Sequence, residues 1–259
     1  MSFPSDLTNS QWKAISAFLP VKTKGIHNLR SIINALFYIV KTGCPWRYLP
    51  RCFPLWQSVY YHFRRLQSIG VLNRLMSKFR TLLRVNAGKS PQPSVALIDS
   101  QSIRTAAGVS KSKGWDGAKR LVGRKRHLVT DTLGLPLALC VTSASASDRE
   151  GMAAMTPYLN RIYNLKTLFA DSGYMGIHIT DARLIITSRK AIADKCNSLS
   201  GVLTETSGTK PKRWVVERSF AWIGHYRRLA KDFERHTASS EAMIKIVFIS
   251  IMLRRLNVV

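Results

Sequence analysis

Apolar residues recur at helical spacing through the first third of the chain. Between Leu29 and Val40 they fall at every third or fourth position, and Gly43 follows as a helix stop signal. The same kind of pattern predicts further helices before Pro20, from Trp56 to Ser68 and from Val71 to Leu83. We therefore predict an all-α helical region over residues 1–86.

The pattern changes after a segment rich in Gly, Ser and Pro, Val85–Pro93, which is typical of a linker. Short apolar runs then alternate with turns, as in β-strands and hairpins. The runs that predict strands are Ser94–Ile98, Leu128–Asp131, Leu135–Thr142, Thr167–Ala170 and Ala182–Thr187, and helices are predicted at Ser147–Leu159, Arg213–Leu229 and Ser239–Leu256. This order predicts a mixed α/β domain over residues 94–259, with a mixed central sheet.

The balance of charges narrows the class of partner. Forty Lys and Arg stand against 14 Asp and Glu, which gives a formal net charge of +26. A domain this basic fits a polyanion such as nucleic acid, while a membrane surface or a general solubility role are the alternatives. Because the sequence carries no signal peptide, lipidation signal or span of membrane length, we expect a cytoplasmic protein without a membrane partner. The four cysteines lack the close pairing of a zinc site, so we expect free thiols.

Aromatic and basic residues are mixed in the predicted helix that begins at Trp56. Its stretch Tyr60–Arg65 ends in Arg64 and Arg65, and a turn joins it to a neighbouring helix. A helix-turn-helix module would place such a helix in a DNA groove, with these two arginines contacting DNA. The alternative is a helical bundle with a solvated basic face.

We expect the second domain to supply further contacts to DNA phosphates. The predicted set is Arg124, Lys125, Arg126, Arg213, Arg218, Arg227 and Arg228. Each of these could instead belong to a solvated basic face, and Arg213 could pair with Glu217 at i, i+4.

Half of the 14 acidic residues have a local explanation, and Asp6, Asp181, Asp194 and Glu205 have no special setting. Helix capping accounts for Asp148 and Glu150, turns account for Asp116 and Asp131, and helical faces among bases account for Asp232, Glu234 and Glu241. The three with a special setting are Asp99, Asp171 and Glu217.

Asp99 and Asp171 each follow an apolar strand run. A right-handed crossover between those strands would make them parallel and bring both carboxylates to one edge of the sheet. Glu217 lies on a predicted helix whose apolar face would pack on that sheet. Three adjacent carboxylates repel each other unless they pair with Arg or Lys or hold a cation such as Mg²⁺, and both readings stay open from the residues alone.

Several motifs of the chain resemble bacterial insertion-sequence transposases of the DDE class. The motifs are Ile98–Ser102, Gly123–Leu128 with Asp131–Gly134, Ala170–Tyr174, Arg213–Trp222, Tyr226–Leu229 with Lys231–Asp232, and Thr42–Arg47 with Leu49–Pro50. The resemblance covers nearly the whole chain. It implies a ribonuclease H-like catalytic domain in which Asp99, Asp171 and Glu217 bind two Mg²⁺ ions, with Mn²⁺ as a substitute.

The same resemblance implies a DNA transposase of the bacterial nucleoid. Such an enzyme would bind the terminal inverted repeats of a mobile element, cut the DNA with water as nucleophile, and join the freed 3′-hydroxyl to target DNA as a homodimer or larger assembly. The alternatives are a metal-dependent nuclease without joining activity and a catalytically inactive DNA-binding regulator. Two segments depart from the family pattern and would suit an inactive copy, namely Thr23–Asn28 and Ser188–Thr209.

Overall fold

A computed structural model of the protein describes residues 2–19, 28–109, 111–162, 164–176, 182–186 and 214–256. Arg213, the tract 188–209 and residues 23–27 lie outside these ranges, so the expectations about them stay predictions. Cys44, Cys52 and Cys140 carry free thiols, as predicted.

The N-terminal region is helical, as predicted. Its helices are α1 (Asn9–Ser16), α2 (Leu29–Thr42), α3 (Trp56–Ser68) and α4 (Val71–Asn86). The hydroxyl of Thr8 accepts a hydrogen bond from the backbone N–H of Gln11, and the side-chain oxygen of Gln11 accepts one from the backbone N–H of Thr8. Helix α1 therefore begins with a capping box. Helix α4 runs to Asn86, so the linker begins two residues later than the sequence pattern indicated.

The second region is built on a six-stranded mixed sheet. Its strands are β1 (Val95–Arg104), β2 (Gly114–Asp116), β3 (Leu121–Asp131), β4 (Pro136–Ser143), β5 (Thr167–Ala170) and β6 (Arg183–Ile186). The strand order is β2-β3-β1-β5-β6, with β4 also paired to β3. Strands β1, β5 and β6 are parallel, whereas the pairs that β3 makes are antiparallel. The predicted mixed sheet is confirmed, but β1 continues five residues beyond Asp99 instead of ending there.

Helices cover both faces of this sheet: α5 (Asp148–Leu159) on one, α6 (Trp214–Gly224) and α7 (Thr237–Arg255) on the other. Side chains alternate between the faces of a strand, so Ala96 and Ile98 join the apolar cluster of α5 while Leu97 joins that of α6 and α7. Helix α6 ends at Gly224, earlier than predicted, and a separate 3₁₀ turn follows at Arg227–Leu229.

The N-terminal helices and α7 share one apolar core. Helix α4 packs along α7, and the cluster that holds Phe79 of α4 also holds Met243 and Phe248 of α7. A buried ion pair of 2.7 Å between Arg84 and Asp131 joins α4 to the β3–β4 turn. The regions before residue 86 and after residue 94 therefore differ in sequence pattern but pack against each other. That they are separate domains stays a prediction.

Two acidic residues placed on helices by the sequence pattern lie elsewhere. Asp232 and Glu234 occupy the non-helical segment between the 3₁₀ turn and α7, and both side chains are buried. Asp232 pairs with Arg124 of β3 at 3.2 Å, and Glu234 pairs with Arg228 at 2.7 Å. Both act as internal ion partners rather than as solvated helix charges.

Candidate active site

Asp99 and Asp171 come together because of the register of two parallel strands. Leu97 of β1 pairs with Phe169 of β5. Two residues further along the chain lie Asp99, still within β1, and Asp171, directly after the end of β5. They are therefore level with each other and on the same face as Leu97 and Phe169, the face covered by α6. The Ser100 N–H donates to Asp99 Oδ1 at 2.8 Å, and the Gly173 N–H donates to Asp171 Oδ1 at 3.0 Å.

Glu217 lies in the first turn of α6, over the same face of the sheet. Buried Val215, Val216 and Phe220 fix the helix against β1 and β3, and Glu217 itself is exposed. No three His, Cys, Asp or Glu side chains of the described residues lie close enough to hold a metal ion. The structure thus sets the two aspartates level with each other and Glu217 over the same face, and these three residues do not form a ligand cage.

Asp148 is a further carboxylate of this site that the sequence pattern did not single out. Its Oδ1 accepts a 2.8 Å hydrogen bond from the Ser100 hydroxyl and lies 3.4 Å from Lys125 Nζ. A Cβ atom added to Gly173 would lie 2.8 Å from Asp148 Oδ2 and 3.1 Å from Asp171 Oδ1. Glycine at that position therefore leaves open the space between the two carboxylates.

The sequence pattern assigned Asp148 to a helix cap, and this assignment hid its place in the candidate site. The cap of α5 is made by Ser147 and Glu150, as the capping-box pattern predicted. Asp148 is the first helical residue and takes no part in that pair of hydrogen bonds. Its carboxylate can therefore contact Ser100 and Lys125.

Tyr174 marks the position where the aspartates converge. Its side chain is 0% exposed, and burial raises the pKa of its phenol, with the charges of Asp148, Asp99 and Asp171 raising it further. The phenol therefore stays protonated beside three carboxylates. Carboxylate oxygens are ligands that Mg²⁺ prefers, so the carboxylates around Tyr174 fit a hard divalent cation.

Five of the predicted DNA contacts have side chains at or near the surface. Arg64 and Arg227 are exposed, Arg65 is half-buried, and Lys125 is held at the site by the carbonyl of Ala146 at 2.7 Å. Arg218 is half-buried on α6 and donates to the Leu133 carbonyl at 3.2 Å. These placements are compatible with phosphate contacts.

The other three described arginines lie inside the protein, which corrects their predicted role. The guanidinium of Arg124 is 0% exposed and donates to the carbonyls of Glu234 and Arg235 at 2.7 and 3.0 Å. Burial lowers the pKa of Arg126 to about 10, and Arg228 is bound to Glu234. Arg124 and Arg228 are bound by internal acceptors and Arg126 is buried, so we remove all three from the candidate DNA-binding surface.

His127 makes the stability of this region sensitive to acid. Its ring packs against Gly151, where a Cβ atom would overlap the ring. Burial lowers the pKa of the ring to about 4; the charge of Asp148 acts to raise this pKa, and the charge of Lys125 lowers it. The unfolded chain takes up this proton near pH 6.5, so stability is lost as the pH falls from there towards 4.

We expect this one group to cost about 2 kcal/mol between pH 7.5 and pH 5. Urea unfolding of the unmodified protein and of His127→Leu at both pH values measures it. The unmodified protein should lose about 2 kcal/mol more than the variant. Equal losses in the two proteins would contradict the assignment.

The sheet sets an aspartate inside one strand level with an aspartate that directly follows the parallel neighbour, and a later helix carries a glutamate over the same face. This arrangement is consistent with a DDE or ribonuclease H-like α+β domain. The family model described as "Transposase DDE domain" matches residues 90–253, and the model described as "Putative transposase of IS4/5 family" matches residues 7–76. The chain belongs to the DDE transposases of this family.

Two curated relatives share part of the chain. The "Putative transposase for insertion sequence element IS402" of Burkholderia cepacia is 31% identical over 137 residues, which cover 48% of this chain and 60% of that protein. The "Uncharacterized protein y4sN" of Sinorhizobium fredii (strain NBRC 101917 / NGR234) is 27% identical over 124 residues, or 45% of this chain and 93% of that protein. No solved structure matches the chain. Within the described ranges, no helix combines the length and the apolar character needed to cross a membrane.

Proposed function

We propose that this protein binds the ends of a mobile DNA element, cleaves the phosphodiester backbone there, and joins the freed 3′-hydroxyl to target DNA. The observation that carries the proposal is the register of β1 and β5, which sets Asp99 and Asp171 level with each other, in a chain of net charge +26 that belongs to the DDE transposases. A basic surface supplies affinity for DNA, and the neighbouring carboxylates supply a place for cations beside the phosphate.

In this proposal, Asp99, Asp171 and Glu217 hold two divalent cations, with Mg²⁺ as the expected ion and Mn²⁺ as a substitute. When bound, such ions polarise the phosphate and stabilise the attacking and leaving oxygens. The N–H groups of Ser100 and Gly173 orient the two aspartates. Glu217 is exposed in the first turn of α6. In this proposal, its side chain would move towards the two aspartates when metal and DNA bind.

The residues around the aspartates support this assignment. Ser100 and Lys125 both contact Asp148, so the carboxylate is fixed at the edge of the site and its charge is partly balanced. We assign Asp148 a positioning role, in which it orients Ser100 and the backbone that carries Asp99. Lys125 would also reduce the repulsion that an approaching phosphate meets.

The proposed DNA contacts are the surface members of the predicted set. They are Arg64, Arg65, Lys125, Arg218 and Arg227, together with Arg213 from outside the described residues. The proposed partners are the terminal inverted repeats and the target DNA, bound by a homodimer or larger assembly in the bacterial cytoplasm.

Product analysis tests the proposal. The purified protein is incubated with linear DNA that carries the inverted repeats flanking its gene, together with a supercoiled target plasmid and Mg²⁺ or EDTA. We expect metal-dependent cuts at the repeat ends that leave 3′-hydroxyls, followed by joined products. Cut ends without joined products would favour a nuclease, and tight end binding without cuts under any divalent cation would favour a DNA-binding regulator.

A further inference from the structure

The β2–β3 hairpin presents an apolar pair of side chains to solvent, next to exposed cations. Trp115 of β2 pairs with Val122 of β3, and the two side chains are 55% and 48% exposed. Lys113, Lys119 and Arg120 flank this pair in the sequence and are exposed as well. Among the described residues, no carboxylate forms an ion pair with any of these three cations. We call these five residues the hairpin surface.

Contacts on the opposite face hold the hairpin in one position. The side chain of Asp116 lies on the face opposite to the apolar pair and accepts a hydrogen bond from the Ser102 hydroxyl of β1. The Lys119 N–H donates to the other carboxylate oxygen of Asp116 at 3.0 Å and closes the turn. Gly114 and Gly123 pair with each other, and a Cβ atom on either would overlap neighbouring atoms, so the hairpin lies flush against β1 and the end of β4. A ligand of the hairpin surface therefore meets a preformed ribbon.

Arg120 occupies a turn position that suits glycine. Its φ is 49°, in the left-handed region that residues with a Cβ atom adopt only at a cost. Glycine would form the same turn without that cost, so the fold itself has no need of an arginine there. Backbone strain of this kind points to a use for the exposed guanidinium outside the fold.

A cleft connects the hairpin surface to the N-terminal helices. It has a volume of about 350 Å³, and its lining includes Arg64 of α3, Lys111 before the hairpin and His236 at the start of α7. Within the described part of the chain, no acidic residue lines this cleft. Arg64 is itself a proposed DNA contact, so the hairpin surface continues the basic surface of α3.

The hairpin surface also lies within reach of DNA at the candidate active site. Asp99 pairs with Leu128, and Val122 lies six residues earlier on β3, which corresponds to about 20 Å. Lys125 lies between them on the same strand, 3.4 Å from the Asp148 carboxylate. Phosphates of one strand follow each other every 3.4 Å or so along the duplex axis, so DNA at the site would reach the hairpin about six base pairs away.

We propose that the hairpin surface binds duplex DNA, with Trp115 and Val122 in the major groove and the three cations beside the phosphates. The inference rests on the proposed function, because it adds a contact to the same DNA. A two-stranded β-ribbon fits the width of the major groove, where apolar side chains contact thymine methyl groups. A second copy of the chain is the competing partner of an edge strand, but three residues next to a lysine offer little strand pairing.

Duplex binding in EDTA tests the apolar part of the surface without any catalytic step. The full-length protein is titrated with a duplex that carries the inverted repeats flanking its gene. We expect Trp115→Ala to weaken binding roughly ten-fold, because the exposed indole no longer packs in the groove. Methylation of guanine N7, which faces the major groove, should interfere with binding of the unmodified protein about six base pairs from the cut, and this interference should disappear in the variant.

Tyr158→Ala is the matched control, because Tyr158 is 53% exposed and lies on α5, outside the hairpin surface. It should bind the duplex as the unmodified protein does, and both variants should unfold near the normal temperature. Equal weakening by the two variants would overturn the proposal. So would a Trp115→Ala protein that keeps full DNA affinity but changes its oligomeric state, because the edge strand would then bind a second copy.

Arg120→Gly tests the charged part of the surface. Its unfolding midpoint should stay unchanged or rise, because glycine relieves the positive φ. The slope of log affinity against log salt should fall by about one, as expected for a lost phosphate contact. Lys78→Gln, which removes an exposed cation from α4, should keep the normal slope. A normal slope in Arg120→Gly would show that its guanidinium does not contact DNA.

The outcome is separable from that of the proposed function. A protein that cuts element ends and binds them equally well with and without Trp115 and Arg120 refutes the hairpin contact alone. A protein that binds duplex DNA through the hairpin surface but never cuts supports the hairpin contact and refutes the proposed activity.

Discussion

Replacement of Asp99 by Asn will lower the rate of DNA cleavage roughly a thousand-fold while leaving the fold intact. Asn has almost the same shape, so the strand pairing of β1 with β3 and β5 is retained. The substitution removes the negative charge that a hard cation requires. Metal stabilisation of a phosphoryl-transfer transition state is worth several kcal/mol, and each 1.36 kcal/mol corresponds to a factor of ten in rate. We expect the same loss for Asp171→Asn and Glu217→Gln.

The measurement is single-turnover cleavage of a DNA end with Mg²⁺, together with end binding in EDTA and the midpoint of thermal unfolding. Glu150→Gln is the matched control, because Gln can replace Glu in the capping box of α5. The three site variants should bind DNA ends at least as well as the unmodified protein, since each removes a negative charge. Cleavage that survives Asp99→Asn or Asp171→Asn would show that the site assignment is wrong.

The level placement of Asp99 and Asp171 could be predicted from the sequence because it follows from two local patterns. Each aspartate comes after a short apolar run, and the elements between the runs predict a right-handed crossover, which makes the strands parallel. The register of Leu97 with Phe169 then determines that both carboxylates lie level. Strand periodicity further places them on one face, which explains why a helix with an apolar side covers them.

The residues that surround Asp99 and Asp171 could not be predicted from local patterns in the same way. Asp148 joins the site through Ser100 and through the space that Gly173 leaves, and these contacts depend on how α5 sits on the sheet. The sequence pattern gave Asp148 a sufficient local explanation as part of a helix start. The fate of a carboxylate in the first turn of a helix is decided by the neighbouring element, which local patterns do not specify.

For basic residues, local sequence patterns are even less able to predict where a side chain lies. In a chain of net charge +26, each Lys or Arg has a nucleic-acid interpretation by default. Arg124 follows that pattern, yet it is taken up by Asp232 and by the carbonyls of the segment before α7, more than a hundred residues away in sequence. Only the tertiary packing of α7 against the sheet separates buried arginines from those that face solvent.

The consequence for Arg124 is a second large expected effect, on stability rather than on DNA binding. Arg124→Ala would leave the buried carboxylate of Asp232 without its ion partner and the carbonyls of Glu234, Arg235 and Lys111 without donors. Removing one member of a buried ion pair costs about 3–5 kcal/mol. For a chain of this size, that corresponds to a fall of roughly 10 °C in the midpoint of thermal unfolding.

Arg227→Ala is the control that separates the two roles of arginine. Arg227 is exposed in the 3₁₀ turn next to buried Arg228, so its loss should leave the unfolding midpoint nearly unchanged. It should instead weaken DNA binding and reduce the slope of log affinity against log salt by about one. Thermal unfolding and salt-dependent DNA binding of both variants provide the measurement. If Arg124→Ala unfolded at the normal temperature but bound DNA weakly, Arg124 would belong to the DNA surface, as the sequence pattern alone suggests.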